Sequence, residues 1–242
     1  MTDHILYRFG RMRGTTILLC AFLFIGAFRA QAQVEEDRTG AWYMTFWRID
    51  TLFGAFGLQG DVQFRNWDLG GDLEQLLLRG GVTYTPQDFR GTFTLGYAHV
   101  TSGAPGASDA VTNEHRMYQE ALLPHHPGGR LFLSHRFRLE ERFVQDQDLR
   151  TRVRYALFLN IPLTGPRLEP RTTYLALYDE LFVNGERGIG EDRSVELFDR
   201  NRAYAAIGHV LGEHGRVQAG AMLQTTASWR KPQVQISLHL AY

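Results

Sequence analysis

The final ten residues constrain this chain most. Gln233-Val234-Gln235-Ile236-Ser237-Leu238-His239-Leu240-Ala241-Tyr242 alternates apolar and polar side chains without a break. Successive side chains on a strand point to opposite faces, so Val234, Ile236, Leu238, Leu240 and Tyr242 form one apolar face while Gln233, Gln235, Ser237 and His239 lie on a wet one. A soluble sheet alternates in this way when its apolar face finds a core. A closed barrel in a bilayer also needs strands of roughly ten residues, with apolar side chains out and polar ones in.

The N-terminus carries an export pattern. Arg8, Arg11 and Arg13 form a basic n-region, Thr15 to Phe28 an apolar h-region, and Ala30-Gln31-Ala32 an A-x-A cleavage site. The apolar stretch falls short of the roughly 20 residues of a spanning helix. Residues 1–32 therefore read as a cleaved signal peptide, with Gln33 the expected mature N-terminus. Cys20 follows Leu19 and precedes further apolar residues, which argues against lipid modification. Cleavage removes this single cysteine and leaves no thiol for a disulfide, a metal site or nucleophilic catalysis. It also takes four arginines and one aspartate from a chain of 26 basic and 26 acidic residues, leaving a slight acidic excess. A nucleic-acid partner would call for a basic excess and is not expected. In an exported chain, the terminal strand resembles the signal that bacterial outer-membrane barrels present to their insertion machinery. Val234, Ile236, Leu238, Leu240 and Tyr242 are thus the expected membrane-insertion signal, and the bacterial outer membrane the expected location.

Without an apolar run long enough for a spanning helix in the mature chain, a membrane role requires a barrel. Turn signals divide the sequence into alternating segments at 58–66, 76–84, 89–97, 113–122, 131–143, 149–163, 172–183, 200–211 and 215–226, before the terminal strand. A helix over 131–143 is disfavoured, because Glu140 and Glu141 occupy the positions where Phe137 would need apolar neighbours. These segments make ten strands, and a possible first strand lies in Trp42 to Ile49. Bacterial single-chain barrels usually have even strand numbers. The first segment is accordingly expected either to cap a ten-stranded barrel or to accompany an unrecognised strand in a twelve-stranded one. The expected fold is an all-β antiparallel transmembrane β-barrel of ten to twelve strands, with residues 33–57 as an N-terminal segment and residues 58–242 as the barrel. Counting back from the C-terminus places residues 67–75, 100–112, 144–149, 184–199 and 227–232 outside and the tight turns 85–88 and 212–214 on the periplasmic side. Trp42, Trp47, Trp67, Tyr84, Phe89, Phe143, Trp229 and Tyr242 fall near strand ends, where an aromatic girdle belongs.

Lys231 is the single lysine, and every other basic side chain is arginine. Coding bias alone could give this usage, but arginine suits a confined polar lumen because its planar fork binds carboxylates at two points and stays charged. In 131–143 the face opposite Leu133, Phe137 and Leu139 carries Arg136, Arg138, Glu140 and Arg142; in 149–163 the polar face carries Arg150, Arg152 and Arg154. A short connector pairs the two as a hairpin, which sets Glu140 opposite or diagonal to one of those three arginines. Glu114 and Glu120 share a face with Arg116. Glu180 should lie near Arg154, with Arg202 approaching it from the next strand. Such a lumen either fills and rigidifies a small barrel or forms a positively biased constriction for acidic solutes.

Other sites are weaker. His125-His126 lacks supporting metal-ligand spacing, and Ser134-His135 points its side chains to opposite faces. No phosphate loop, metal-hydrolase motif or nucleophile elbow occurs. No catalytic residue, metal or cofactor is therefore expected.

Asn113-Glu114-His115-Arg116-Met117-Tyr118-Gln119-Glu120, the stretch His135 to Phe143, Arg152-Val153-Arg154-Tyr155, Tyr178 to Asn184 and Phe198 to Tyr204 resemble, in order and spacing, the domain of unknown function family 2490. That resemblance implies an outer-membrane barrel and supplies no activity. The family-like positions include Arg116, Arg138, Glu140, Arg142, Arg152, Arg154, Glu180 and Arg202. Three classes follow: a narrow channel for small acidic solutes, a closed structural or interaction barrel, and, with least support, a membrane-embedded lipid-modifying enzyme. The expected partners are outer-membrane lipid, the insertion machinery during assembly and small acidic solutes.

Overall fold

The structure, a computed structural model, describes residue 34 and residues 37–242. The expected signal peptide lies outside the described residues. Eleven strands run in order: β1 (Gly40–Phe53), β2 (Phe56–Asn66), β3 (Leu73–Tyr84), β4 (Thr92–Gly103), β5 (Val111–Gly128), β6 (Leu131–Val144), β7 (Arg150–Pro162), β8 (Thr173–Asn184), β9 (Phe198–Val210), β10 (Gly215–Thr225) and β11 (Arg230–Ala241). No helix occurs among the described residues.

The strands close into one barrel in sequence order, each antiparallel to the next, and β1 pairs with β11 in parallel. The parallel seam follows from parity. If direction alternates from strand to strand, an odd total leaves the first and last strands pointing the same way, so the pair that closes the wall cannot be antiparallel. The expected even total is therefore corrected. The Trp42 to Ile49 segment neither caps the barrel nor waits for a twelfth strand; it is a wall strand of 14 residues. Its register with β11 runs from Gly40↔Gln233 to Arg48↔Ala241. Beyond that register, the Tyr242 amide donates to the Arg48 carbonyl at 2.9 Å and the Asp50 amide to the Tyr242 carbonyl at 2.8 Å.

Alternation sorts the side chains with polar groups inside and apolar ones outside. Val62, Leu78, Leu95, Phe137, Ile207 and Ile236 are exposed on the outer wall, whereas Asp61, Gln63, Arg138 and Gln235, their immediate sequence neighbours or near neighbours, are buried. An apolar exterior of this extent marks an interaction surface. Outward polar groups pair across adjacent strands: Tyr97 Oη lies 2.5 Å from His115 Nδ1, Tyr155 Oη 2.9 Å from His135 Nδ1, and Thr173 Oγ1 3.0 Å from His209 Nδ1. The five segments grouped by counting back share one rim with the start of β1, and the turns at 85–91 and 211–214 share the other with Tyr242.

The interior has two sectors. One is an apolar and aromatic cluster of Trp42, Tyr174, Ala176, Tyr204, Ala206, Val210 and Met222. Two glycines admit tyrosine rings here and opposite: Gly208 is the register partner of Tyr174, Gly96 that of Tyr118, and a Cβ on either glycine would collide with the ring. The other sector is charged.

Candidate functional site

The charged sector is built from the β6–β7 hairpin outward. Its register sets Glu140 opposite Arg152, and sets Arg138 opposite Arg154 and Arg142 opposite Arg150. Two like-charged pairs would repel, and carboxylates from this and neighbouring strands relieve them. Glu140, 1% exposed, accepts from Arg154 Nη1 at 2.6 Å through Oε1 and from Arg152 Nε at 2.9 Å through Oε2. Glu180 on β8 accepts from Arg154 Nε at 2.9 Å and from Arg136 Nη2 at 2.6 Å. Glu120 on β5 faces Arg138 in register and accepts from its Nε at 2.7 Å and from its Nη2. Glu114 is clamped by two forks, from Arg116 (2.6 and 2.7 Å) and Arg142 (2.5 and 2.9 Å). Arg152 continues the chain to Asp199 on β9 at 2.8 Å, and Arg79 on β3 reaches Asp61 on β2 at 2.7 Å. Charge-assisted, often bidentate bonds thus cross-link most of the charged wall.

Of the residues expected in the lumen, Arg116, Glu120, Arg138, Glu140, Arg142, Arg150, Arg152, Arg154, Glu180 and Arg202 are buried, and Arg136 is half-buried. Two arginines differ from expectation in what they touch. Arg202 faces Glu180 in register, yet its Nε donates to Gln224 Oε1 at 2.7 Å and its guanidinium stacks on Trp42 and Phe182. Glu180 Oε1 is already engaged by Arg154 and Arg136. Arg150 forms no ion pair among the described residues, and its Nε is buried without a hydrogen-bond partner. Val234, Ile236 and Tyr242 of the expected insertion signal are exposed, while Leu238 and Leu240 are half-buried.

Trp42 departs furthest from expectation. It is 2% exposed inside the barrel rather than in an outer girdle. Its Nε1 donates to Glu74 Oε2 at 2.8 Å, and the guanidiniums of Arg65 and Arg202 stack on it, with centroid distances of 4.0 and 4.6 Å. Because β1 carries apolar residues on both faces, its alternation does not reveal which side Trp42 takes. Asp61, Glu74, Arg79 and Asp199 are further members of the network. Asp61 was readable as an inward position, but its partner on another strand was not.

Among the residues that could act chemically, Ser237 Oγ lies 2.9 Å from His239 Nε2. The histidine ring stacks on Phe46, and no carboxylate pairs with it among the described residues, so the third member of a nucleophile-activating relay is missing there. His125 and His126 stack on His135 and Phe132, respectively. No cluster of three or more potential metal ligands occurs among the described residues.

The side chains leave a small internal cavity of about 30 Å³ within the charged sector. Eight arginines line it, including Arg65, Arg116, Arg142 and Arg202, together with Gln75, Leu77 and Phe182. The family model for a protein of unknown function (DUF2490) matches residues 39–235, nearly the whole barrel. No curated protein and no solved structure matches the chain.

Proposed function

We propose, for a chain that belongs to the DUF2490 family of unknown function, a non-catalytic outer-membrane β-barrel whose lumen is closed at rest by its own arginine–carboxylate network. The observation that carries closure is the cross-linking of β5 through β9 by buried ion pairs, with about 30 Å³ of space in the charged sector. Space on that scale holds roughly one or two water molecules. Small barrels are commonly filled in this way.

The apolar outer wall, the polar interior and the export pattern of residues 1–32 support the membrane reading. Lipid is then the partner of Val62, Phe137 and Ile236, and the insertion machinery the partner of β11 during assembly. The purified mature chain should begin at Gln33, fractionate with the outer membrane and migrate differently on gels before and after boiling. An uncleaved chain in the cytoplasmic fraction would refute the location.

In a planar bilayer the unaltered protein should be electrically silent over a broad voltage range. A second reading, a gated path for small acidic solutes, is favoured by the arginine lining of the cavity, since charge at a constriction sets selectivity. It predicts anion-selective steps once Glu140→Gln loosens the network. Discrete steps from the unaltered protein would overturn closure at rest.

A further inference from the structure

The cavity among the arginines is short of negative charge. Of its eight arginines, Arg116 and Arg142 share the single carboxylate of Glu114, while Arg152 and Arg154 share Glu140 and draw further on Asp199 and Glu180. Arg200 also leans on Asp199, and Arg79 takes Asp61. Arg65 and Arg202, 6% and 5% exposed, have no carboxylate within ion-pairing distance among the described residues. Their polar contacts are neutral: Gln63 and Gln75 for Arg65, Gln224 for Arg202. No acidic side chain lines the cavity.

An excess positive charge removed from water is costly unless it is paired. Lysine could respond by shedding its proton, but a guanidinium keeps its charge. The sequence places arginine at every basic position of the cavity wall; Glu74, held by Trp42, and Glu180, level with Arg202, offset Arg65 and Arg202 only from beyond ion-pairing distance, so a counter-ion is the direct means of neutralising the remainder. Stacking on Trp42 and Phe182 relieves part of the charge on Arg65 and Arg202 and brings no negative charge.

We infer that this cavity is a binding site for a small inorganic anion of halide size, enclosed as the barrel closes and held by guanidinium N–H groups including those of Arg202. The space, enough for roughly one or two water molecules, favours a single chloride-sized ion over a larger polyatomic solute. The inference rests on the closed-barrel reading; the conductance measurement tests closure, whereas anion occupancy is read separately, below.

Protein refolded from denaturant into detergent with chloride should unfold at a higher temperature than protein refolded in gluconate at equal ionic strength. The effect should saturate with chloride concentration. Arg202→Gln should abolish most of this difference. Equal transitions in the two salts, or an undiminished chloride effect in Arg202→Gln, would overturn the site. Crystals of unaltered protein refolded in bromide provide a reading that does not depend on the variant folding. An anomalous peak among Arg65, Arg116 and Arg202 supports the site, and an empty cavity overturns it. A peak without any halide dependence of unfolding would mean an adventitious ion only, and would likewise reject the proposed role.

Discussion

Glu140→Gln keeps the shape of a side chain that two arginines grip and removes its charge. Arg152 and Arg154 would each lose part of their neutralisation at a site 1% exposed, and breaking a buried pair costs about 3–5 kcal/mol. Thermal or urea unfolding in detergent should show that loss, whereas an unchanged transition would mean that the carboxylate acts independently of both arginines. Gly208→Ala tests packing instead of charge. The added methyl meets the ring of Tyr174, so a destabilisation of about 1–3 kcal/mol is expected from overpacking, and the same substitution should cost less in a Tyr174→Ala background, where that ring is absent. At this scale the sequence was informative about burial and less so about partners. Alternation along β6 and β7 put Arg138, Glu140, Arg152 and Arg154 on one face, because a two-residue period leaves few choices. Which guanidinium takes which carboxylate depends on registers across four strands and on competition for the same oxygen. Hence Arg202, level with Glu180, turns to Gln224 and Trp42 instead.

Most strands were legible as elements because one face is apolar and the other polar, as in β9 and β11. β1 was the difficult one: Tyr43, Thr45 and Trp47 alternate with Trp42, Met44 and Phe46, so neither face announces itself and a wall strand can pass for a capping segment. Connections offer no such pattern, and their anchoring appears only in the structure. In the connection between β8 and β9, Glu186 accepts from the Thr151 amide at 2.5 Å and from its hydroxyl at 2.9 Å. The backbone bond first, then the side-chain bond, holds this carboxyl below its ordinary range. A lowered carboxylate pKa stabilises the attachment above the carboxyl's unfolded-state pKa and ceases to do so as pH falls through the lowered value. Pepsin cleavage within residues 185–197 should therefore increase on acidification in the unaltered protein. In Glu186→Gln the cleavage should already be high at the upper end of the acid range; equal protection of both proteins throughout would show that the bond does not anchor the connection.

For the whole molecule, the number of strands matters more than any single contact. Strand positions could be read one at a time, whereas closure joins residues nearly 200 positions apart and depends on the parity of the total. The parallel meeting of β1 and β11 sets Gly40 at one rim and Tyr242 at the other. Many domains bring their ends close enough to be joined, which makes circular permutation practicable. Here a joining linker would have to travel the length of a strand of 11 or 12 residues, about 25–30 Å after allowing for tilt, either through a crowded lumen or along an apolar wall. A permutant opened at residues 129–130, with Tyr242 joined to Gly40 by a few glycines and serines and residues 1–39 removed, should fail to give the heat-modifiable folded band on gels. Folding of that permutant would show that the chain can close with its ends side by side. The barrel is thus a ring in cross-section whose first strand's start and last strand's end no short stitch can join.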